Sequence, residues 1–245
     1  MMIKSLKRQK CIALLMDPDN STLDDIKQLR DIKSEYWPDF IFVGGSLTSV
    51  QPDELILNIK ENFDIPVVLF PGNLLQLTGK ADSILFLSLI SGRNPDLLIG
   101  NHVIAAPHLK QMNIEIIPTG YILINCGTKT SVEYISQTDA IPSSKTDIAV
   151  ATAMAGEMLG LKLIYLEGGS GASHPVPPAM IKAVRNAISV PIIVGGGLRK
   201  PEDIKSAYDA GADMLVLGNG YKDDPGLLEI ACRIRDELRA VRDER

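Results

Sequence analysis

Three times between Leu163 and Gly220 a short apolar run ends in glycine. Leu163-Ile-Tyr-Leu runs into Glu167-Gly168-Gly169-Ser170-Gly171. Pro191-Ile-Ile-Val runs into Gly195-Gly196-Gly197, and Met214-Leu-Val-Leu into Gly218-Asn219-Gly220. Apolar runs of about four to six residues with β-branched content read as parallel strands buried on both faces. Glycine after such a strand lets the backbone turn sharply and brings its N–H groups close to an anion. Any one of these turns is explained by tight βα geometry alone. Three at neighbouring strand ends favour a phosphate cradle at the C-terminal mouth of a (β/α)₈ barrel, whose last loops commonly hold phosphate.

The rest of the chain alternates in the same way. Strands are expected at Cys11–Met16, Phe40–Val43, 66–70, 83–87, 115–124, 162–166, 191–194 and Met214–Leu217. Helices are expected at about 22–33, 52–62, 95–109, 148–159, 177–187, 201–210 and 227–241. Between the third and fourth strands only about a dozen residues intervene, too few for a full crossover helix, so 74–80 reads as a reduced, irregular connection. Pro118 and Gly120 suggest a bulge or bend in the fifth strand. The polar stretch 125–147 has no clear period and reads as a loop. Eight alternations fit one barrel domain over 1–245. A doubly wound open sheet is the competing architecture, but its glycine fingerprint belongs after the first strand, where this chain has Asp17-Pro18-Asp19.

Composition narrows the function classes. The chain has 245 residues, a net charge of −5 and three widely spaced cysteines, Cys11, Cys126 and Cys232. That charge argues against nucleic-acid binding. The cysteines suggest neither a disulfide framework nor a zinc site, and a reducing cytoplasm is the simplest setting. No run approaches the length of a membrane span, so contact with a membrane is at most peripheral and transient. His102, His108 and His174 show no metal-binding spacing. No strand ends in lysine, which disfavours Schiff-base chemistry.

Glu167 closes the sixth strand beside the cradle, where a carboxylate can take a proton from a bound hydroxyl. Tyr165 shares its facing and serves either the ligand or the barrel filling. Asp17 is the first residue beyond the first strand. It and Asp19 suit Mg²⁺, which takes one or two protein oxygens plus phosphate oxygens, but they serve an Asx turn equally well. Ser46, after the second strand, can add a hydroxyl to the same place.

Taken in order, Met16-Asp17-Pro18-Asp19, Gly44-Gly45-Ser46, the segment Tyr165 to Ala172, Val194-Gly-Gly-Gly-Leu-Arg199 and Leu217-Gly-Asn-Gly220 resemble the geranylgeranylglyceryl phosphate synthase family, including its PcrB-like bacterial members. The likeness spans nearly the whole chain. Leu15-Met16 before Asp17 resembles the second branch, since the other carries a lysine near that motif. The resemblance implies a modified barrel whose third helix is replaced by a non-helical segment. It implies that the 3-hydroxyl of sn-glycerol 1-phosphate displaces diphosphate from a prenyl diphosphate, with twenty carbons the expected tail. Asp17 and Ser46 would then hold Mg²⁺ on the donor. Tyr165, Leu166, Glu167, Gly168, Gly169, Ser170, Gly171, Gly196, Gly197, Gly218 and Asn219 would hold the acceptor, with Glu167 as base. Tyr121 would face the developing allylic cation. An apolar groove along the irregular third connection and the helix from Pro95 would take the tail. A homo-oligomer is also implied. Two rivals use the same cradle: a sugar-phosphate isomerase or lyase, and a phosphate-binding protein without catalysis.

Overall fold

The structure is a computed structural model; it describes every residue except 128, 219, 220, 222, 244 and 245, and the side chains of 242 and 243 also lie outside the description. Eight strands form the barrel: β1 Cys11–Met16, β2 Phe40–Val43, β3 Val67–Leu69, β4 Ser83–Leu89, β5 Glu115–Asn125, β6 Leu163–Glu167, β7 Ile192–Gly195 and β8 Met214–Leu217. Each pairs in parallel with the next, and β8 returns to β1 with Cys11 opposite Met214, so the sheet closes. Closure rules out the open sheet.

Side chains alternate across this wall. Cys11 and Ala13 point inward, and Ile12 and Leu14 point to the helical layer. On β6, Leu163 and Tyr165 face in, whereas Ile164 and Leu166 face out. The period of two in a strand makes this unavoidable. The N-terminal segment forms a short helix without a periodic signature, α1 Met2–Arg8, and its Met2 and Leu6 bury themselves in the interior cluster. They close the barrel at the mouth opposite the glycine turns.

Around the wall, α2 Leu23–Asp31 is opened by a Thr22–Asp25 capping box, and α3 Asp53–Asn62 follows Pro52. After β3 only a turn of 3₁₀ helix forms, Leu74–Gln76, as the short spacing requires. After β4 a π-helical turn, Asp96–Gly100, leads into α4 Asn101–Leu109.

Two local expectations are corrected. No bulge interrupts β5: residues Glu115 to Tyr121 pair in unbroken register with Ser83 to Leu89. Gly120 is there for close packing, because a Cβ on it would sit 2.8 Å from Ile164 Cδ1 and 2.9 Å from Ile90 Cδ1. The stretch 125–147 is not all loop. It holds α5 Ser131–Ser136, opened by a Thr130–Glu133 capping box, and a two-residue strand, Ile141–Pro142, that pairs in parallel with the end of β5. The capping pair was visible in the sequence, but six residues are too few to show a helical period.

Three helices complete the layer near the site: α6 Thr146–Met158, α7 Pro178–Ala187 and α8 Pro201–Asp209. The chain closes with α9 Gly226–Asp243, anchored by Arg235, whose guanidinium meets Asp39 and the Trp37 carbonyl. No described helix is long and apolar enough to cross a membrane.

Candidate active site

The glycine turns end β6, β7 and β8 on one side of the barrel, and a cavity of about 930 Å³ opens there. One half is polar. It is lined by Glu167, Gly169, Ser170, Gly171, Gly196, Gly197 and Gly218, with Asp17 and Ser46 across the mouth. The other half is apolar and runs over the outer face of β4, where Ile84 and Phe86 meet Leu74, Leu77 and Ala105.

Glu167 sits where the β6 alternation aims it, inward and 6% exposed. Burial raises its carboxyl above the ordinary range, because the charged form loses solvent. The Gly169 N–H donates to Oε1 at 2.6 Å and pulls the other way. The Tyr165 hydroxyl adds a weaker downward pull from the margin of hydrogen-bond reach; its geometry falls short of a formed bond. A catalytic bond of this kind often tightens only when ligand arrives.

The β6 and β7 turns are packed against one another. Gly169 and Gly196 have φ of +91° and +83°. A Cβ on Gly196 would lie 2.6 Å from both Glu167 Oε1 and the Gly169 nitrogen. Glycine is therefore required here by backbone contact as well as by the turn.

Beside Glu167 lies an aromatic cluster. Phe70 stacks on Tyr165 with centroids 5.4 Å apart, and Tyr121 meets Tyr165 edge-on at 5.3 Å. Burial, then the nearby Glu167 charge, pushes both tyrosines well above their ordinary value, so they remain neutral phenols. Neutral rings with electron-rich faces suit a cationic neighbour.

Across the mouth, Asp17 is held by its own turn: Asp19 N–H donates to Oδ1 at 3.0 Å and Asn20 Nδ2 to Oδ2 at 2.9 Å. A carboxylate has about four acceptor sites, so this leaves room for a further ligand. A Cβ on Gly45 would be 3.2 Å from Asp17 Cγ, so the β2 turn carrying Ser46 lies against it. One carboxylate and one hydroxyl are hard oxygen donors of the type Mg²⁺ takes alongside water and phosphate. Asp19 does something else. Its carboxylate accepts from Ser49 N, Val50 N and the Ser49 hydroxyl, clamping the β1 and β2 loops together.

In the apolar half, His102 Nε2 and the Ser88 hydroxyl are 3.1 Å apart, and the imidazole stands edge-on to Phe86 at 4.5 Å. Burial lowers its affinity for a proton.

Most of the expected site residues converge on this cavity. Leu166 does not: it faces the helical layer and is fully buried there, because it lies one residue out of phase with Tyr165 and Glu167. Gly168 is also off the cavity wall, with its N–H bonded to the Gly195 carbonyl. Asn219 lies outside the described residues. Sequence reasoning missed Gln76, Phe70 and Arg199. Gln76 is 2% exposed; its Nε2 donates to the Gly45 carbonyl at 2.8 Å and its Oε1 accepts from Gly72 N–H at 3.2 Å. Only its place in the short third connection could have drawn attention to it.

Known proteins share this architecture and more. A geranylgeranylglyceryl phosphate synthase of Spirosoma linguale is 52% identical over 238 residues, 96% of each chain. One of Korarchaeum cryptofilum is 38% identical over 230 residues, 94% of each. The crystal structure of (S)-3-O-geranylgeranylglyceryl phosphate synthase from Thermoplasma acidophilum, in complex with substrate sn-glycerol-1-phosphate, matches with a TM-score of 0.88 at 32% identity, over 98% of this chain and 97% of that one. An N-acetylmannosamine-6-phosphate 2-epimerase from Clostridium perfringens matches at a TM-score of 0.55 and 14% identity, a likeness of fold alone. The PcrB family model covers residues 4–235, and with relatives this similar along nearly the full length, the chain belongs to the PcrB family.

Proposed function

We propose that this protein is a geranylgeranylglyceryl phosphate synthase, a prenyltransferase that joins a prenyl diphosphate to the 3-hydroxyl of sn-glycerol 1-phosphate. One observation carries the reading. A buried carboxylate, Glu167, borders a glycine cradle at one end of a cavity whose other end is an apolar groove. A small phosphate ester and a long hydrocarbon can therefore meet in one space. Family membership supports the same reaction.

The cradle binds the acceptor phosphate through backbone N–H groups of the β6 and β7 turns. Glu167 accepts the proton of the 3-hydroxyl as that oxygen forms its bond to the first prenyl carbon. The bond from that carbon to the diphosphate oxygen breaks, and diphosphate leaves with its electron pair. Tyr121 and Tyr165 offer neutral π faces to the allylic carbon as it gains positive character. Asp17 and Ser46 would hold Mg²⁺; when bound, it offsets charge on the leaving diphosphate. The groove over β4 excludes water from the tail. Twenty carbons is the proposed length.

The test is a radiolabel transfer assay. The protein is given sn-glycerol 1-phosphate and donors of fifteen, twenty and thirty-five carbons, with Mg²⁺ or with EDTA. Expected is an ether product, fastest with the twenty-carbon donor and lost in EDTA. No product with any donor would overturn the reading.

A further inference from the structure

The cavity is acidic, yet the proposed reaction fills it with two phosphate-bearing substrates. Asp17, Asp96 and Glu167 line it, and among the described lining residues Arg199 is the single lysine or arginine. Backbone N–H groups offer the cradle hydrogen bonds without net charge. A phosphate dianion placed beside Glu167 therefore needs a cation, and Arg199 lies two residues past the Gly196-Gly197 turn.

Arg199 is built to be aimed from a fixed base. Leu198 before it is 4% exposed and packs into the core. Its own N–H donates to the Asp203 carboxylate at 3.4 Å in the first turn of α8. The side chain is 44% exposed, and the carboxylate its guanidinium meets, Asp223, is 3.9 Å away and 68% exposed. An exposed pair at that distance contributes little, so Asp223 is a weak competitor for the guanidinium.

We propose that Arg199 is the acceptor-phosphate receptor of this site: it swings from Asp223 to the phosphate of glycerol 1-phosphate and supplies the charge the glycine cradle lacks. The planar guanidinium suits two phosphate oxygens at once, and a lysine matches that only as a point charge. The assignment rests on the proposed function for the name of the acceptor. The anion chemistry stands without it.

The experiment titrates wild type, R199A, R199K and D223N with inorganic phosphate and with sn-glycerol 1-phosphate by calorimetry, and measures KM for acceptor and donor separately. R199A is expected to weaken both phosphate ligands by about 10- to 100-fold, the size of a lost charged hydrogen-bond pair. KM for the donor stays within about twofold, R199K is intermediate, and D223N binds phosphate as well as or better than wild type. The proposal is overturned if wild type binds no phosphate, if R199A binds it normally, if the donor KM rises as much as the acceptor KM, or if D223N reproduces the R199A loss. Product formation by wild type reports on the function reading by itself, since phosphate binding does not depend on any prenyl donor.

Discussion

At the scale of single residues, Glu167 links chemistry to stability. Its carboxyl is raised by burial, and as the proposed base it must be ionised to work. The acid limb of kcat/KM is therefore expected above the ordinary carboxylate value, which a pH–rate profile will read. Stability runs the other way. Between the ordinary and the raised value the native state keeps a proton that the unfolded chain has released, so stability falls as pH rises through that window. E167Q should flatten that fall in urea melts while cutting turnover by about 10²- to 10⁴-fold. A variant that turns over normally would remove Glu167 as the base. Gln76 acts by holding backbone. Q76A leaves the Gly45 and Gly72 groups short of their partner, a cost of about 1–3 kcal/mol, and loosens the turn carrying Ser46. A raised donor KM with an unchanged acceptor KM, beside a lower urea midpoint, is the expected pattern. Glu167 was legible in sequence because strand period and position agree. Gln76 was not, since its role depends on tying its own connection to the β2 loop at Gly45, 31 residues away.

The glycine turns operate at the scale of elements. They were read in sequence as a place for phosphate, and the structure adds that they also fit each other. G196A must place a Cβ against Glu167 and the Gly169 nitrogen at a positive φ. Expected is a loss of about 1–3 kcal/mol in a denaturant titration together with weakened acceptor binding. Strand positions were largely legible because buried parallel strands are continuous apolar runs. α1 and α5 were not. Each is about two turns long, and α1 is fixed by Met2 and Leu6 inserting into the barrel, a tertiary effect with no local signature. The bulge expected in β5 failed for a related reason: Gly120 answers to Ile90 and Ile164, which are distant in sequence.

Across the whole molecule, the two mouths of the barrel divide the labour. The N-terminal mouth is sealed by α1 and braced by Arg235 and Arg239 on Asp39, while the C-terminal mouth carries the cavity. L6A is therefore expected to cost about 2–5 kcal/mol in chemical denaturation and to leave kcat per folded molecule intact. A changed kcat would mean that the two ends are coupled. The third crossover has a further consequence. Among the described residues the other strands are followed by α-helices, but past β3 the chain supplies only one turn of 3₁₀ helix, and the C-terminal half of β4 is incompletely covered. In the proposed reaction the donor's hydrocarbon tail would be a borrowed building block, laid where the polypeptide omits one. Each extra isoprene unit that fits should raise the melting temperature of the donor complex, until the groove over Ile84 and Ala105 is full. On the proposed function, the protein without its lipid is a barrel one stave short of its casing, and the lipid it consumes would be the part that completes it.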